Sequence, residues 1–539
     1  MSTRIAGGRE QGAVLLLAII FTFVIGLLVA GTVTTSVSES RSSMFSMNHA
    51  DALARAEGTT EVAQKQMLDA VANFYSPSLS GSVTLAGQNY TYAIAPAGPS
   101  LQVTDLDGVT LVIQPFEITA EAQIENASAR VQRIADLTLT PIFQYMIFYD
   151  DDLEILPGPA MTLGGRVHSN GSIYIGSGNT LTVDSNYLRA TGEILRQRKN
   201  DGTATGGTID IKVYGDSSFV NMASGMDSSN DDWVNLALDT WGGTVQSGAH
   251  GVAEVAAPAI GSIKAFDDMG APGYYHDSAD LVIVDGQAFD TNGNAIVLPV
   301  GVVQERTMFD GRENKTITVT EIDLGALALS GNFPANGLIY SYRTDASSSQ
   351  PNGVRLTNGA ELAAPLTVVT EDPLFIHGDF NTVNKKGAAV MADAVNLLSN
   401  AWDDSKGAGS LPTAASTTFN VAMVTGNVPT PDGGGSYSGG FENLPRFHEN
   451  WSGRTCSIRG SFIKIFDSEI ATSPWAYGGQ VYTAPVRDWQ YDPDLNDLGN
   501  LPPFTPNAVY FRRVLWSDFV PVPFTAGPAA VVDEDPLGG

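Results

Sequence analysis

The sequence predicts a mainly β protein carried on one long N-terminal α-helix, with an antiparallel sheet beside the helix and a β-solenoid, parallel β-helix-like domain beyond it. Three observations predict this. Residues 13–31, AVLLLAIIFTFVIGLLVAG, carry no charge. Past them, apolar residues keep a helical spacing as far as Phe74. Further on, short apolar–polar alternations are separated by Gly, Asn and Ser, in a chain of 539 residues with 56 Gly and 28 Pro. That length suggests two or three domains.

The apolar run is long enough to cross ~30 Å of hydrocarbon. Arg4 and Arg9 precede it, which places residues 1–12 as a cytoplasmic leader, 13–31 as a transmembrane helix and the remainder outside. Val29-Ala30-Gly31 would suit a signal-peptide cleavage site, so removal is the alternative. Retention is favoured because the run exceeds a usual signal core and the helical pattern continues. Val33, Val37, Met44, Met47, Leu53, Ala56, Ala63, Met67 and Val71 recur mostly every three or four residues, and no proline intervenes before Pro77. Residues 32–76 therefore extend the helix as an amphipathic segment, giving a rod of ~90 Å at 1.5 Å per residue. Gly26 and Gly31 would let neighbouring helices pack closely.

The segments EQGAVLLLAIIFTFVIGLL and SESRSSMFSMNHADALARAEGTTEVA resemble the N-terminal module of PilX-type minor pilins, a type IV pilin-like family. The matching residues are Gln11-Gly12-Ala13, the apolar run, and Ala52 through Glu57. The resemblance implies insertion in the inner membrane and lateral packing against other pilin-like subunits through the N-terminal helix. It also marks Gly8 and Gly12 as leader-processing positions. Major pilins place Phe-Thr-Leu-Ile-Glu after that glycine; here the fifth residue after Gly8 is Ala13 and after Gly12 is Leu17, neither acidic.

Residues 77–143 alternate apolar and polar residues between Gly/Asp turns, an antiparallel region of the kind a pilin-like head would carry. Residues 144–380 have the short strands and small corners of a solenoid, with a looped insertion at about 195–320. A jelly roll or sandwich is the alternative. Residues 381–539 read as a helix, KKGAAVMADAVNLLSNAWDDS, with Val390, Ala394, Leu397 and Ala401 on one face, then an extended aromatic and Pro-rich region. On GDFN, AWDDS, ENLPR and WSG, this part resembles a domain found after PilX-type modules in uncharacterised bacterial envelope proteins.

Net charge of −29 argues against a nucleic-acid partner, because phosphate binding needs clustered Lys and Arg. The lone Cys456 cannot form an internal disulfide and reads as a buried structural thiol. Asp150-Asp151-Asp152 with Glu154, and Asp492, Asp494, Asn496 and Asp497, are acidic clusters of the sort that hold Ca2+. The second begins like an EF-hand loop but has Asp497 where Gly is needed and Pro503 where Glu is needed; solvated turn acids are the plainer reading. His49, His168, His250, His276, His377 and His448 form no zinc motif. No nucleophile elbow, Walker loop or dinucleotide fingerprint occurs, and no carboxylate pair is indicated. Tyr274, Tyr275, Trp475, Tyr477, Tyr482, Trp489 and Tyr491 could stack on sugars or a protein partner, or pin an extended arm to the β domain.

The function these readings support is structural: a single-pass inner-membrane subunit of a type IV pilus or pseudopilus-like system, with its C-terminal domain periplasmic or extracellular, displaying an adhesive β domain toward surface glycans or proteins. It is not expected to be an enzyme or to need a cofactor other than Ca2+. The alternatives are a tethered β-helical enzyme acting on extracellular polysaccharide and an envelope protein outside any filament.

Overall fold

Helix α1 (Glu10–Ala72) runs unbroken for 63 residues, about 95 Å at 1.5 Å per residue. The computed structural model describes residues 10–72, 77–257, 263–431, 433–435, 437–438, 440–475 and 481–519. In the outer half of α1 every side chain from Ala13 to Met47 is exposed, and its most apolar window has a mean hydropathy of 3.1. The Thr- and Ser-rich stretch after the apolar run is helical too, and its hydroxyls are satisfied by the preceding turn: Thr32 donates to Val29 O, Thr34 to Ala30 O and Thr35 to Gly31 O. The inner half is buried along one face, where Ala52, Ala56 and Ala63 are fully covered and Met67 nearly so. These small residues, three or four apart or in multiples of that spacing, let a sheet approach the helix backbone.

That sheet holds β1 (Ser80–Leu85), β2 (Gln88–Pro96), β3 (Leu101–Thr104), β4 (Thr110–Ile124) and β5 (Ala127–Pro141), all paired antiparallel. Alternation sets its inner face, with Val83, Tyr92, Ile94, Ile118 and Leu137 packed on Ala63 and Met67. The Arg133 guanidinium reaches Glu61 of the helix at 2.7 Å.

Beyond β5 the pairing becomes parallel. The chain passes through β6 (Ile147–Tyr149), β7 (Leu153–Ile155) and β8 (Met161–Gly164). It then lays β9 (Val167–Ser169), β10 (Ile173–Ile175) and β11 (Thr180–Asp184) beside them in turn. A further pass adds β12 (Leu188–Ala190), β13 (Ile194–Leu195) and β14 (Thr208–Lys212). The strand β15 (Phe219–Asn221), helix α2 (Trp233–Trp241) and the strand β16 (Val245–Gln246) end this half.

The second half begins with α3 (Tyr274–Ser278), β17 (Leu281–Val284), β18 (Gln287–Phe289) and β19 (Ala295–Ile296). A hairpin of β20 (Val303–Asp310) and β21 (Lys315–Asp323) leads to α4 (Leu324–Leu329). Then β22 (Leu338–Tyr342), β24 (Leu366–Val369), β26 (Ala388–Ala392), β29 (Ala422–Thr425) and β32 (Phe462–Lys464) pair parallel in sequence. A second stack joins β21 to β23 (Gly353–Thr357), β25 (Pro373–His377), β27 (Ala394–Leu398) and β30 (Arg446–Phe447). A third holds β28 (Thr417–Asn420), β31 (Thr455–Gly460) and β33 (Val486–Tyr491).

The two halves meet because β32 pairs parallel with β6, Phe462 opposite Ile147 and Lys464 opposite Tyr149. One open sheet of 12 strands results, and the chain enters it at its middle. Register aligns a column of aliphatic and aromatic side chains through the seam: Val245, Leu188, Val167, Ile147, Phe462, Met423, Val390, Val368 and Ile339, each fully buried. Close stacking also demands glycine at some corners. A Cβ on Gly460 would lie 1.9 Å from the Val421 carbonyl oxygen.

Three sequence expectations need correction. Residues 385–405 form strands β26 and β27, not a helix; every residue of both strands is buried, so apolar side chains occupy both faces and mimic helical spacing. The stretch 195–320 is not a looped insertion apart from the stacks, since β14, β16 and β17 all belong to them. The C-terminal region is not merely an extended arm: β34 (Asn507–Phe519) returns to pair antiparallel with β5, completing the first sheet.

Candidate functional site

The acidic residues singled out from the sequence are held by lysines, an amide and a backbone N–H of the chain itself. Asp150 accepts from Asn170, Asp151 is paired with Lys464, and Asp152 with Lys199 at 2.9 Å. Because Lys464 lies on β32, the Asp151 pair fastens the seam between the halves. In the second cluster, the Lys385 ammonium sits 2.7 Å from Asp492 and 2.9 Å from Asp494. The Asn496 side-chain oxygen accepts from Arg166 and Tyr491, while Asp497 caps the backbone N–H of Gly499. Asp492 and Asp494 thus face a lysine, Asn496 an arginine and Asp497 its own turn. No group of three or more His, Cys, Asp or Glu among the described residues could hold a metal ion.

The histidines are dispersed. His168 is buried between Tyr187 and Asn170, and burial pushes its imidazole down to about 4. His448 is fully buried against Asn396. Burial pushes the Cys456 thiol up to about 12, which leaves it unreactive. Gly8 lies outside the described residues, and Gly12 lies within α1. A Cβ on Gly26 or Gly31 would meet nothing within 4 Å, so both stand on the open face of the helix. Of the aromatic residues, Tyr275, Tyr482 and Trp489 are core, and Tyr477 lies outside the described residues.

A groove of about 390 Å³ opens where the β7–β8 turn meets the segments around Tyr437 and Trp475. The Tyr437 and Trp475 rings meet edge to face at 5.4 Å. Trp475 Nε1 donates to the Tyr482 hydroxyl at 2.9 Å, and that hydroxyl donates to Asn443 Oδ1 at 2.8 Å, which fixes the indole plane. Glu442 is occupied at both oxygens, by the Tyr437 hydroxyl at 2.7 Å and the Leu156 N–H at 3.2 Å. Arg487 donates to the Glu442 carbonyl oxygen at 3.0 Å and lies over Trp489, yet its Nε is buried without a partner among the described residues. Arg198 lines the same groove from an exposed position. Sequence reasoning missed Tyr437, Glu442, Arg198 and Arg487. The signal was the pair of Gly-rich runs, PDGGGSYSGGFEN and SPWAYGGQ, that carry aromatics into corners.

Behind the groove, burial pushes the Glu154 carboxyl from 4.5 up to about 7; the Glu442 charge adds to this, and the Thr430 hydroxyl and Lys199 oppose it. The folded chain therefore holds a proton that the unfolded chain has released between pH 4.5 and about 7, so this group lowers stability as pH rises through that window. Glu154→Gln removes the effect. Its advantage over the native chain should be absent at pH 4 and grow to at most about 3 kcal/mol by pH 8. Denaturation midpoints of the two chains at pH 4, 6 and 8 provide the check; a difference that does not vary with pH would refute it.

No protein-family model matches the chain, and no curated protein matches it. Three chains of solved structure match, among them the crystal structure of competence-associated pilin ComZ from Thermus thermophilus, at 12% identity and a TM-score of 0.30, covering 88% of this chain and 98% of that one.

Proposed function

We propose that the chain is a membrane-anchored, exported structural subunit of a type IV pilus or pseudopilus-like assembly, related in its N-terminal module to PilX-type minor pilins. The observation that carries this reading is the division of labour along α1. Its first part, residues 13–31, is apolar, exposed and long enough to span a bilayer, and its inner half is welded to an antiparallel sheet through Ala52, Ala56, Ala63 and Met67. A rigid helix that serves both parts without a break transmits the position of its membrane or filament contacts directly to the exported body. The open faces at Gly26 and Gly31 suit close packing by neighbouring apolar helices. The body reads as a solenoid-like coil, because three strands per pass return beside their predecessors in parallel register. The role we assign to the body is display, in keeping with a Glu442 carboxylate that is tied to the Tyr437 hydroxyl and the Leu156 N–H.

The test uses fractionation and a single introduced thiol. Cys456 is buried and silent, so Gly26→Cys supplies the only reactive sulfur. The full chain should stay in the membrane fraction and cross-link at position 26 to a second apolar helix. Recovery as a soluble protein lacking residues 1–31 would overturn the reading.

A further inference from the structure

We propose that the groove between Tyr437, Trp475 and Arg198 binds a uronic-acid residue of an acidic polysaccharide. This deepens the display reading and rests on it only for its setting, since the groove can be tested in solution. Three features converge. The first is shape: about 390 Å³ lies in the range of small-molecule sites, and the groove opens to solvent at one side of the parallel stacks, where a long polymer could lie across it.

The second is the wall. The Trp475 indole is locked by its N–H bond to Tyr482, and Tyr437 stands nearly perpendicular at 5.4 Å. A fixed indole face beside a second ring offers the apolar C–H face of a pyranose a surface at little entropic cost, because neither ring has to be ordered on binding.

The third is charge. The chain carries a net −29, yet the charged side chains of this groove are Arg198, Arg487 and Glu442. Glu442 accepts from the neutral Tyr437 hydroxyl and the Leu156 N–H, so two guanidinium groups stand against one carboxylate that is already held in place. Neither arginine forms an ion pair with a carboxylate among the described residues, and Arg487 keeps a buried Nε without a partner. Other cations of the described residues are paired with acids, as at Arg189–Asp107, Arg355–Asp404 and Lys385–Asp492. Two guanidinium groups left over at an aromatic groove call for an anionic partner, and a planar carboxylate matches their paired N–H donors. The carboxylate of a uronate, set at the rim of a ring that stacks on Trp475, meets both requirements.

The experiment titrates the full chain in detergent micelles with a short oligogalacturonate, and in parallel with an uncharged maltooligosaccharide, by calorimetry. The native chain should bind the acidic oligomer and not the neutral one, with affinity falling as salt is raised. Trp475→Ala and Arg198→Gln should each weaken binding about tenfold. Arg198 is exposed, so its variant folds even if the tryptophan variant does not. No binding by the native chain, equal binding of the neutral oligomer, or unchanged binding in Arg198→Gln would each overturn the proposal. Membrane fractionation of the same preparations separates this outcome from the display reading: a chain that stays in the membrane and ignores oligogalacturonate sinks the site alone.

Discussion

Ending the chain after Pro506 should cost about 5 kcal/mol or more and dismantle the sheet that rides on α1. The strand removed, β34, pairs with β5 along nearly its whole length, from Asn507 opposite Pro141 to Phe519 opposite Arg130, with one register shift between Arg513 and Leu515. Two of its residues serve different cores. Val509 packs with Leu137 and Ile118 under the helix, while Ala508 packs with Ile142 and Phe143 at the start of the parallel stacks. The Ile142 N–H also donates to the Pro506 carbonyl oxygen at 3.0 Å. The strand therefore clamps the helix-bound sheet to the stacks, and its loss exposes β5 as an unprotected edge. Limited proteolysis should cut first within residues 80–141, with a fall of roughly 10 °C in the melting midpoint and a tendency to aggregate. Val509→Asp should reproduce the proteolysis at smaller cost. A truncated chain with unchanged melting and cleavage would show β34 to be a dispensable cover.

That strand also illustrates what the sequence could and could not reveal. Helix α1 was legible because its signals are local: an uncharged run, repeated small apolar residues and no proline before Pro77. Strands β4 and β5 were legible because buried positions alternate with half-buried or exposed ones over residues 118–124 and 127–137. Strands β26 and β27 were misread because both faces are buried, which erases alternation and leaves Val390, Ala394 and Leu397 at helical spacing. The seam left no local trace at all, since Phe462 and Ile147 find each other across more than half the chain. The same holds for the acidic cluster at Asp492, whose partner Lys385 is distant in sequence, and for the groove, where Arg198 and Arg487 converge from different halves. Parallel pairing puts a residue's neighbours many residues away, so the sites it builds belong to no motif.

Glu313→Ala should destabilise the second half by about 3–5 kcal/mol, the usual cost of leaving a buried charge without its partner. Glu313 lies in the turn between β20 and β21, and its Oε1 accepts from Arg446 Nη1 of β30 at 2.6 Å. The two side chains are 3% and 2% exposed, so water cannot replace either one. The other Glu313 oxygen accepts from the Ser473 N–H at 3.2 Å, and Arg446 also donates to the Ala471 carbonyl oxygen. Arg312 is buried alongside, where burial and the Arg446 charge push its guanidinium down to about 10. Glu313 thus offsets two cations, and its removal leaves them near each other with Asp310 beside Arg312 and Asp393 near Arg446 as the acids still within reach. Replacing both partners, Glu313→Met with Arg446→Met, removes the ion pair together and leaves Arg312 beside Asp310, so it should cost less than Glu313→Ala alone, which strands both guanidinium groups. Glu313→Gln keeps one accepting oxygen but turns an NH2 toward the other N–H donor, so its loss should approach that of Glu313→Ala. Urea denaturation followed by tryptophan fluorescence ranks the three. Equal losses in the single Ala and double Met variants would place the cost in packing, and the turn of the hairpin would then be tied to β30 by shape rather than by charge.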